Sequence, residues 1–169
     1  MAKQPAQFEV QPVLGLYNSG KLAEAEVAAK KLISHYPETF ILYQVLGLAQ
    51  DGLNKFDEAV DSYQKALSLQ PNTPDLHFNL GIALTNVGRQ EEAAKSYAQA
   101  IKLRPTFFEA YANLGTILQK QGKLEEAIKN YQHALSIHED PRGHFNLGTA
   151  LRDEGKLDEA ITHFKQAIA

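Results

Sequence analysis

The chain has 169 residues, 44% of them apolar, a length and composition that suit one compact domain or one short repeat array. It contains no cysteine, which excludes disulfides, thiol catalysis and cysteine-ligated zinc. The formal net charge is only −3 and no basic stripe is present, so the sequence argues against nucleic acid and anionic membranes as partners.

The first repeat, residues 6–39, departs most from the pattern that the rest of the chain follows. Pro12 and Val13 stand where later repeats have leucine and glycine, and Ala29 stands where they have an aromatic residue. Proline suits the start of a helix better than its interior. We therefore expect no helix before Pro12.

The next three repeats, residues 40–73, 74–107 and 108–140, share a period of 34 residues, and a fifth, incomplete repeat covers 141–169. One glycine, two alanines and one aromatic residue keep this spacing, with one step of 33. These positions are Gly47, Gly81, Gly115 and Gly148; Ala59, Ala93, Ala127 and Ala160; Ala66, Ala100, Ala134 and Ala167; and Tyr63, Tyr97, Tyr131 and Phe164.

Each repeat reads as two helices, because apolar residues recur at helical spacing on both sides of a short break. The break contains Gly20, Asn54, Gly88, Gly122 or Gly155. Glycine, and next best asparagine, tolerates the positive φ of a helix end. A glycine held inside the first helix predicts that another backbone, at the recurrent alanines, approaches it closely. The aromatic residue is then expected to fill the gap between neighbouring repeats.

The fifth repeat leaves an apolar face on its second helix. Ile161, Phe164 and Ile168 would await a further repeat or another chain, since a large solvated apolar face favours association. We expect the natural protein to continue beyond this sequence. Homo-oligomers formed through this C-terminal helix are the alternative.

The sequence contains no arrangement of residues that predicts catalysis. No phosphate-binding loop, nucleophile elbow or zinc-protease pattern is present. His77 and His144 occupy the same place two repeats apart, on the order of 20 Å, so they cannot share a metal. His35 and His163 look isolated. We therefore expect no metal, no cofactor and no enzymatic activity. Lacking a signal peptide and any long apolar run, the chain is predicted to be cytoplasmic.

The recurrent Leu-Gly at 46–47, 80–81, 114–115 and 147–148, followed by alanine, aromatic, alanine and proline, resembles the tetratricopeptide repeat. The resemblance implies an all-α, right-handed superhelical solenoid of about five helix-turn-helix repeats, whose first helices line a concave groove. Counted from the first residue of each repeat, places 2, 5, 6, 9, 12 and 13 would face that groove.

Place 6 holds Asn79, Asn113 and Asn146, although asparagine is a poor residue for a helix interior. A side-chain amide offers one acceptor and two donors, which match the C=O and N–H of a peptide backbone. The row is similar to the asparagine ladder in the tetratricopeptide arm of O-linked N-acetylglucosamine transferases, which implies a grip on peptide backbone. The other explanation is inheritance by duplication, or a hydrogen bond to a neighbouring first helix. Val45 and Gln11 break the row in the first two repeats.

Residues flanking the asparagines at the groove places would set side-chain preference, and their mixed charge argues against a strongly charged ligand. The candidate peptide-binding residues are Asn79, Asn113, Asn146, Phe78, Ile82, Asn86, Thr116, Lys120, Phe145, Thr149 and Arg152. We expect a scaffold that binds an extended peptide or protein segment, and the recruiting arm of a larger transferase is one form that such a scaffold takes. The alternative is an assembly module that associates through its ends.

Overall fold

The computed structural model describes residues 5–168, and within them the regular secondary structure consists of ten helices and no strands. In chain order the helices are α1 (Gln7–Asn18), α2 (Leu22–Ile33), α3 (Phe40–Gly52), α4 (Phe56–Leu69), α5 (Pro74–Asn86), α6 (Gln90–Leu103), α7 (Phe108–Lys120), α8 (Leu124–Ile137), α9 (Pro141–Asp153) and α10 (Leu157–Ala167). The chain divides into two compact halves, Met1–Arg89 and Gln90–Ala169. The boundary falls between α5 and α6.

Each turn between paired helices contains the left-handed residue that the sequence predicts. Asn54 has a φ of 59°, and it is the one residue other than glycine with positive φ among those the structure describes. Gly20, Gly88, Gly122 and Gly155 have φ between 74° and 86°. These residues end the first helix of each pair, so the chain can reverse and begin the second helix two residues later.

Helix α1 begins at Gln7, so the expectation that no helix precedes Pro12 is wrong. The backbone N–H of Ala6 donates to the Glu9 carboxylate at 2.8 Å, which satisfies one donor at the helix start. Val10 and Val13 are buried on the inner side of α1. Pro12 is exposed, so its missing N–H costs one helical hydrogen bond at the surface, while the buried valines hold the helix on its neighbours.

An aromatic ring lies against the recurrent glycine within the same repeat. A Cβ added to Gly115 would lie 2.8 Å from Tyr131 Cε1, and one added to Gly148 would lie 2.8 Å from Phe164 Cε1. The sequence correctly predicted a close approach but assigned it to a backbone. In repeat 5 the nearest backbone atom, the carbonyl oxygen of Ala160, is farther away, at 3.3 Å.

The aromatic residues also join neighbouring repeats, as expected. In the C-terminal half Tyr131 belongs to one apolar cluster with Leu118 of its own repeat and with Leu147 and Leu151 of the next. The recurrent alanines Ala59, Ala93 and Ala127 have no exposed surface, and Ala160 is 2% exposed. Small side chains at these places let the paired helices approach closely enough for the ring to reach the glycine.

First helices of successive repeats contact each other within each half. In the N-terminal half α1 contacts α3, and α3 contacts α5; in the C-terminal half α7 contacts α9. We call the surface made by places 2, 5, 6, 9, 12 and 13 of these helices the first-helix face of that half. Because these first helices touch each other directly, with no second helix between them, the face runs continuously over the consecutive repeats of that half.

Two alanine substitutions at helical glycines should change stability in opposite directions. Gly115→Ala should lower the unfolding free energy by about 1–3 kcal/mol, because its Cβ would overlap the Tyr131 ring. Gly15→Ala, in α1, should raise it by roughly 0.5–1 kcal/mol, because nothing lies within 4 Å and alanine favours the helix. Urea denaturation of both variants measures the difference. Equal stability of the two would contradict the packing described.

Glu26 should stabilise the N-terminal half above acidic pH. It is 5% exposed and accepts from Lys30 Nζ at 2.6 Å and from Lys55 Nζ, in the next repeat, at 2.8 Å. These two hydrogen bonds lower the pKa of Glu26 below its ordinary value of 4.5. A lowered folded pKa stabilises the protein above the unfolded pKa, and the benefit is lost as pH falls through the folded pKa.

Glu26→Gln should therefore cost roughly 1 kcal/mol of unfolding free energy at pH 7, and the difference from the wild type should shrink below about pH 4.5. Urea denaturation at both pH values measures it. The control is Glu24→Gln, because Glu24 and its partner Lys21 are both more than half exposed. A cost that is the same at pH 7 and in acid would show that the ion pairs are not its source.

Candidate functional site

The asparagine row is half-buried, and its side-chain amides have no hydrogen-bond partner among the described residues. Asn113 on α7 and Asn146 on α9 lie on contacting helices of the C-terminal half, and Asn79 lies on α5 of the N-terminal half. All three are intermediate in burial. Among residues 5–168 no side-chain hydrogen bond holds any of these amides. The structure thus lacks the hydrogen bond to a neighbouring first helix that would have explained the row by packing.

In repeat 2 the residue at place 6 is part of the apolar core. Val45 is 2% exposed and belongs to an apolar cluster with Val13, Ala29 and Leu46. Place 6 can therefore hold an apolar residue and bury it. The asparagines of repeats 3 to 5 are not demanded by the helix pair, since another repeat of this chain fills the same place with valine.

Two threonines flank the asparagines in the C-terminal half, and both hydroxyls bond to their own helix. Thr116 Oγ1 donates to the Ala112 carbonyl at 3.0 Å, and Thr149 Oγ1 donates to the Phe145 carbonyl at 2.9 Å. The Tyr131 hydroxyl lies 3.1 Å from Thr116 Oγ1 and donates toward it. The Thr116 hydroxyl therefore both donates and accepts a hydrogen bond within the protein. The Thr149 hydroxyl keeps a lone pair that can accept from a ligand.

The charged residues of this face compensate one another in part. Arg152 donates to Asp153 Oδ1 from Nε at 3.2 Å and from a terminal nitrogen at 2.9 Å, while Gln119 Nε2 donates to Asp153 Oδ2 at 2.8 Å. The Arg152 and Gln119 hydrogen bonds hold the pKa of Asp153 below its usual range. The Gln119 bond also links α7 to α9. Lys120 is exposed and has no ion-pair partner in residues 5–168, so its positive charge is not compensated by a neighbouring carboxylate.

Phe145 supplies an apolar contact next to Asn146. It is 58% exposed, and its ring packs against Phe164 of α10 with centroids 5.8 Å apart. Together with Ile161 and Ile168 these rings border an open apolar depression of about 460 Å³. The predicted apolar contact at Phe145 is thus open to a partner.

The predicted residues of the N-terminal half all lie on α5. Phe78, Asn79 and Ile82 are half-buried, and Asn86 is exposed at the end of the helix. Phe78 already interacts with other parts of the protein. Ile82 and Asn86 follow Asn79 at places 9 and 13, so they extend one strip along the helix.

His163, which the sequence suggested is isolated, contacts another histidine in the structure. His144 is buried; its Nε2 lies 2.6 Å from Glu139 Oε1, and its Nδ1 lies 2.9 Å from His163 Nδ1. Burial and then the neighbouring His144 hold the pKa of His163 below its usual range. Sequence alone could not pair them, because the contact depends on the rotation of α10 against α9. In residues 5–168 no three histidine, cysteine or acidic side chains gather as metal ligands would.

A membrane-spanning helix is also absent from the described part of the chain, where no helix is both long and apolar enough.

Known proteins share this architecture. One family model, described as tetratricopeptide repeat, matches residues 106–169, and another, described as TPR repeat, matches residues 53–88 and 84–122. No curated protein matches the sequence.

Several solved structures superpose over nearly the whole chain. A crystal structure of MamA has a TM-score of 0.88 at 25% identity and covers 91% of each chain. MamA residues 41 to the end from Desulfovibrio magneticus RS-1 has a TM-score of 0.91 at 21% identity, covering 99% of this chain and 96% of its own. YrrB, described as a TPR protein with an unusual peptide-binding site, has a TM-score of 0.88 at 21% identity, covering 97% and 85%.

These similarities confirm the predicted fold class, an all-α superhelical solenoid of about five repeats. The two family models together extend over residues 53–169, more than half of the sequence. Residues 53–169 therefore contain tetratricopeptide repeats.

Proposed function

We propose that the chain is a protein–protein interaction scaffold that binds extended peptide segments, in each half through the asparagine amides of that half's first-helix face. The observation that carries the proposal is that Asn79, Asn113 and Asn146 are half-buried and yet bond to no group in residues 5–168. A half-buried amide gains free energy when a ligand supplies the missing hydrogen bonds.

The spacing of the amides in the C-terminal half suits a peptide backbone. Contacting helices lie about 8–10 Å apart, and an extended chain advances about 3.3 Å per residue. Asn113 on α7 and Asn146 on α9 would then meet backbone groups two to three residues apart. Because amides bond to C=O and N–H, this grip reads the backbone and leaves side-chain preference to flanking residues.

Flanking residues supply that preference. Phe145 offers an exposed apolar ring, and Lys120 offers a cation on the neighbouring helix. Asp153 is already bonded to Arg152 and Gln119, so it adds little negative charge. A segment that contains an apolar residue and an acidic or polar one fits this surface.

The repeat type supports the proposal as well. Tetratricopeptide scaffolds typically mediate protein–protein interaction, and YrrB, whose fold this chain shares, is described by its peptide-binding site. The proposal assigns the chain no catalytic role. That the chain is cytoplasmic stays a prediction. Its use as the recruiting arm of a larger transferase also stays a prediction, and it depends on the asparagine row alone.

A second candidate is assembly through α10, favoured by its exposed apolar residues. Ile161 is 51% exposed and Ile168 is 87% exposed, and both border the depression beside Phe145 and Phe164. Exposed apolar surface of this kind is typical of interaction sites. The two candidates share Phe145 but otherwise use different residues, so variants at the asparagines and at Ile161 and Ile168 test them separately.

Asn113→Ala combined with Asn146→Ala should weaken peptide binding without weakening the fold. Peptides for the test are selected by panning a random 12-residue library on the wild-type protein. Loss of two amide contacts should lower their affinity at least tenfold. Thermal stability should stay equal or rise, because alanine is the better helix former and no intramolecular bond is lost. Fluorescence anisotropy and circular dichroism measure the two effects.

The matched control is Asn130→Ala, on α8, where the amide donates to the Glu126 carbonyl at 2.8 Å within its own helix. It should leave peptide affinity unchanged. N-methylation of the selected peptide's backbone should weaken wild-type binding, whereas the double variant should respond less. Undiminished binding by the double variant would exclude the asparagine ladder.

For the assembly candidate, Ile161→Lys combined with Ile168→Lys should abolish any concentration-dependent increase in mass measured by sedimentation velocity. Phe164 is unsuitable for this test, because its ring packs on Gly148 and its loss would disturb the fold. Val27→Lys, at a residue 69% exposed on α2, is the control for an added charge. A wild type that is monomeric at all concentrations would exclude assembly through α10.

A further inference from the structure

The N-terminal half contains two buried polar atoms that have no hydrogen-bond partner. They are Asp51 Oδ1 on α3 and the Tyr63 hydroxyl on α4. Among residues 5–168 only one other buried side-chain atom shares this status, Glu154 Oε2, and it lies 2.9 Å from Lys156 Nζ. Buried polar atoms are nearly always bonded, because leaving one unpaired costs about 1–3 kcal/mol. Asp51 and Tyr63 therefore need an explanation.

Repeat 4 shows how the same position is satisfied elsewhere in the chain. There the Tyr131 hydroxyl lies 3.1 Å from Thr116 Oγ1 and 3.1 Å from Gln119 Oε1. The equivalent places in repeat 2 hold Leu48 and Asp51. Leucine offers no acceptor, and aspartate is too short by one methylene to reach as glutamine does. Repeat 2 thus replaces a closed hydrogen-bond network by a carboxylate oxygen, Oδ1 of Asp51, and a phenol, each buried without a hydrogen-bond partner.

Among residues 5–168 Asp51 has no ion-pair partner, whether lysine, arginine or histidine. Burial raises the pKa of Asp51 above its ordinary value. The pKa of the Tyr63 hydroxyl is also raised. Burial is the largest cause, the charge of Asp51 is the second, and Tyr17 is the third. Tyr17 occupies place 12 of α1, the same place as Asp51 on the contacting helix α3.

We propose that Asp51 receives a lysine or arginine side chain of a peptide bound along the N-terminal first-helix face. The proposal rests on the proposed function, since it assigns a specificity determinant to that surface. Asp51 lies at place 12, which faces the ligand, and its carboxylate lacks the positive charge that a basic residue supplies. Leu48, half-buried one turn earlier, offers apolar surface for the methylene stem, and Tyr17 adds an aromatic side chain beside the cation.

One consequence does not depend on a ligand. A carboxyl group whose pKa is raised in the folded state destabilises the protein above that pKa. Asp51→Asn should therefore raise the melting temperature at pH 7. Leu48→Thr combined with Asp51→Gln, which copies the arrangement of repeat 4, should raise it further by giving Tyr63 a partner. Asp61→Asn, an exposed aspartate on α4 of the same repeat, should leave it unchanged.

The test selects peptides from a random 12-residue library against the wild type, Asp51→Asn and Asp61→Asn. The wild type and Asp61→Asn should enrich lysine or arginine at one position of the aligned peptides, and Asp51→Asn should lose that enrichment. For one selected peptide, norleucine in place of the basic residue should cost the wild type at least tenfold in affinity. The same replacement should cost Asp51→Asn less than twofold.

Each outcome decides a different claim. If peptides bind and the norleucine replacement weakens the wild type and Asp51→Asn equally, Asp51 does not read a basic side chain, while the scaffold function stands. If Asp51→Asn has an unchanged or lower melting temperature, the carboxylate is not the uncompensated charge described. If no peptide is enriched on the wild type or either variant, the peptide-binding function fails, and this inference fails with it.

Discussion

The contact between an aromatic ring and a helical glycine fixes the arrangement of the two helices in each repeat where it is seen. The Tyr131 ring would touch any side chain added at Gly115, and Phe164 would do the same at Gly148. Both helices can approach this closely because the second carries an alanine with almost no exposed surface. The side of the first helix that carries the glycine therefore packs against the second helix of the same repeat. The opposite side, which includes place 6, takes no part in this contact.

This division explains why one helix can carry fold and binding together. Leu147 and Gly148 are buried against α10 and the neighbouring repeat, whereas Asn146, one residue earlier, is half-buried with an unbonded amide. Repeat 2 shows that the arrangement is optional, because Val45 at the same place is buried in the core. Polar groups that packing leaves unsatisfied, such as the asparagine amides and the Asp51 carboxylate, are where a ligand can contribute free energy.

Much of this fold follows from local rules that a single sequence contains. The five left-handed turn residues and the close approach at the glycines are set by backbone sterics, so they could be predicted from residue type and period. The helix before Pro12 could not, because the burial of Val10 and Val13 outweighs an unfavourable proline. The bond between His144 and His163 depends on the rotation of one helix against another, and the unpaired state of Asp51 depends on a missing acceptor at Leu48. Such features arise from tertiary contacts, which period and propensity do not specify.

The side-chain amides of the first helices, unbonded among residues 5–168, are the groups that we propose hold a peptide. The most direct measurement follows the side-chain NH₂ resonances of Asn113 and Asn146 by NMR, assigned from single alanine variants, while a library-selected peptide is added. Both pairs of resonances should shift and their hydrogen exchange should slow on saturation, whereas the Asn130 resonances, on α8, should not change. Saturation by the peptide with the Asn113 and Asn146 amides unchanged would contradict this proposal.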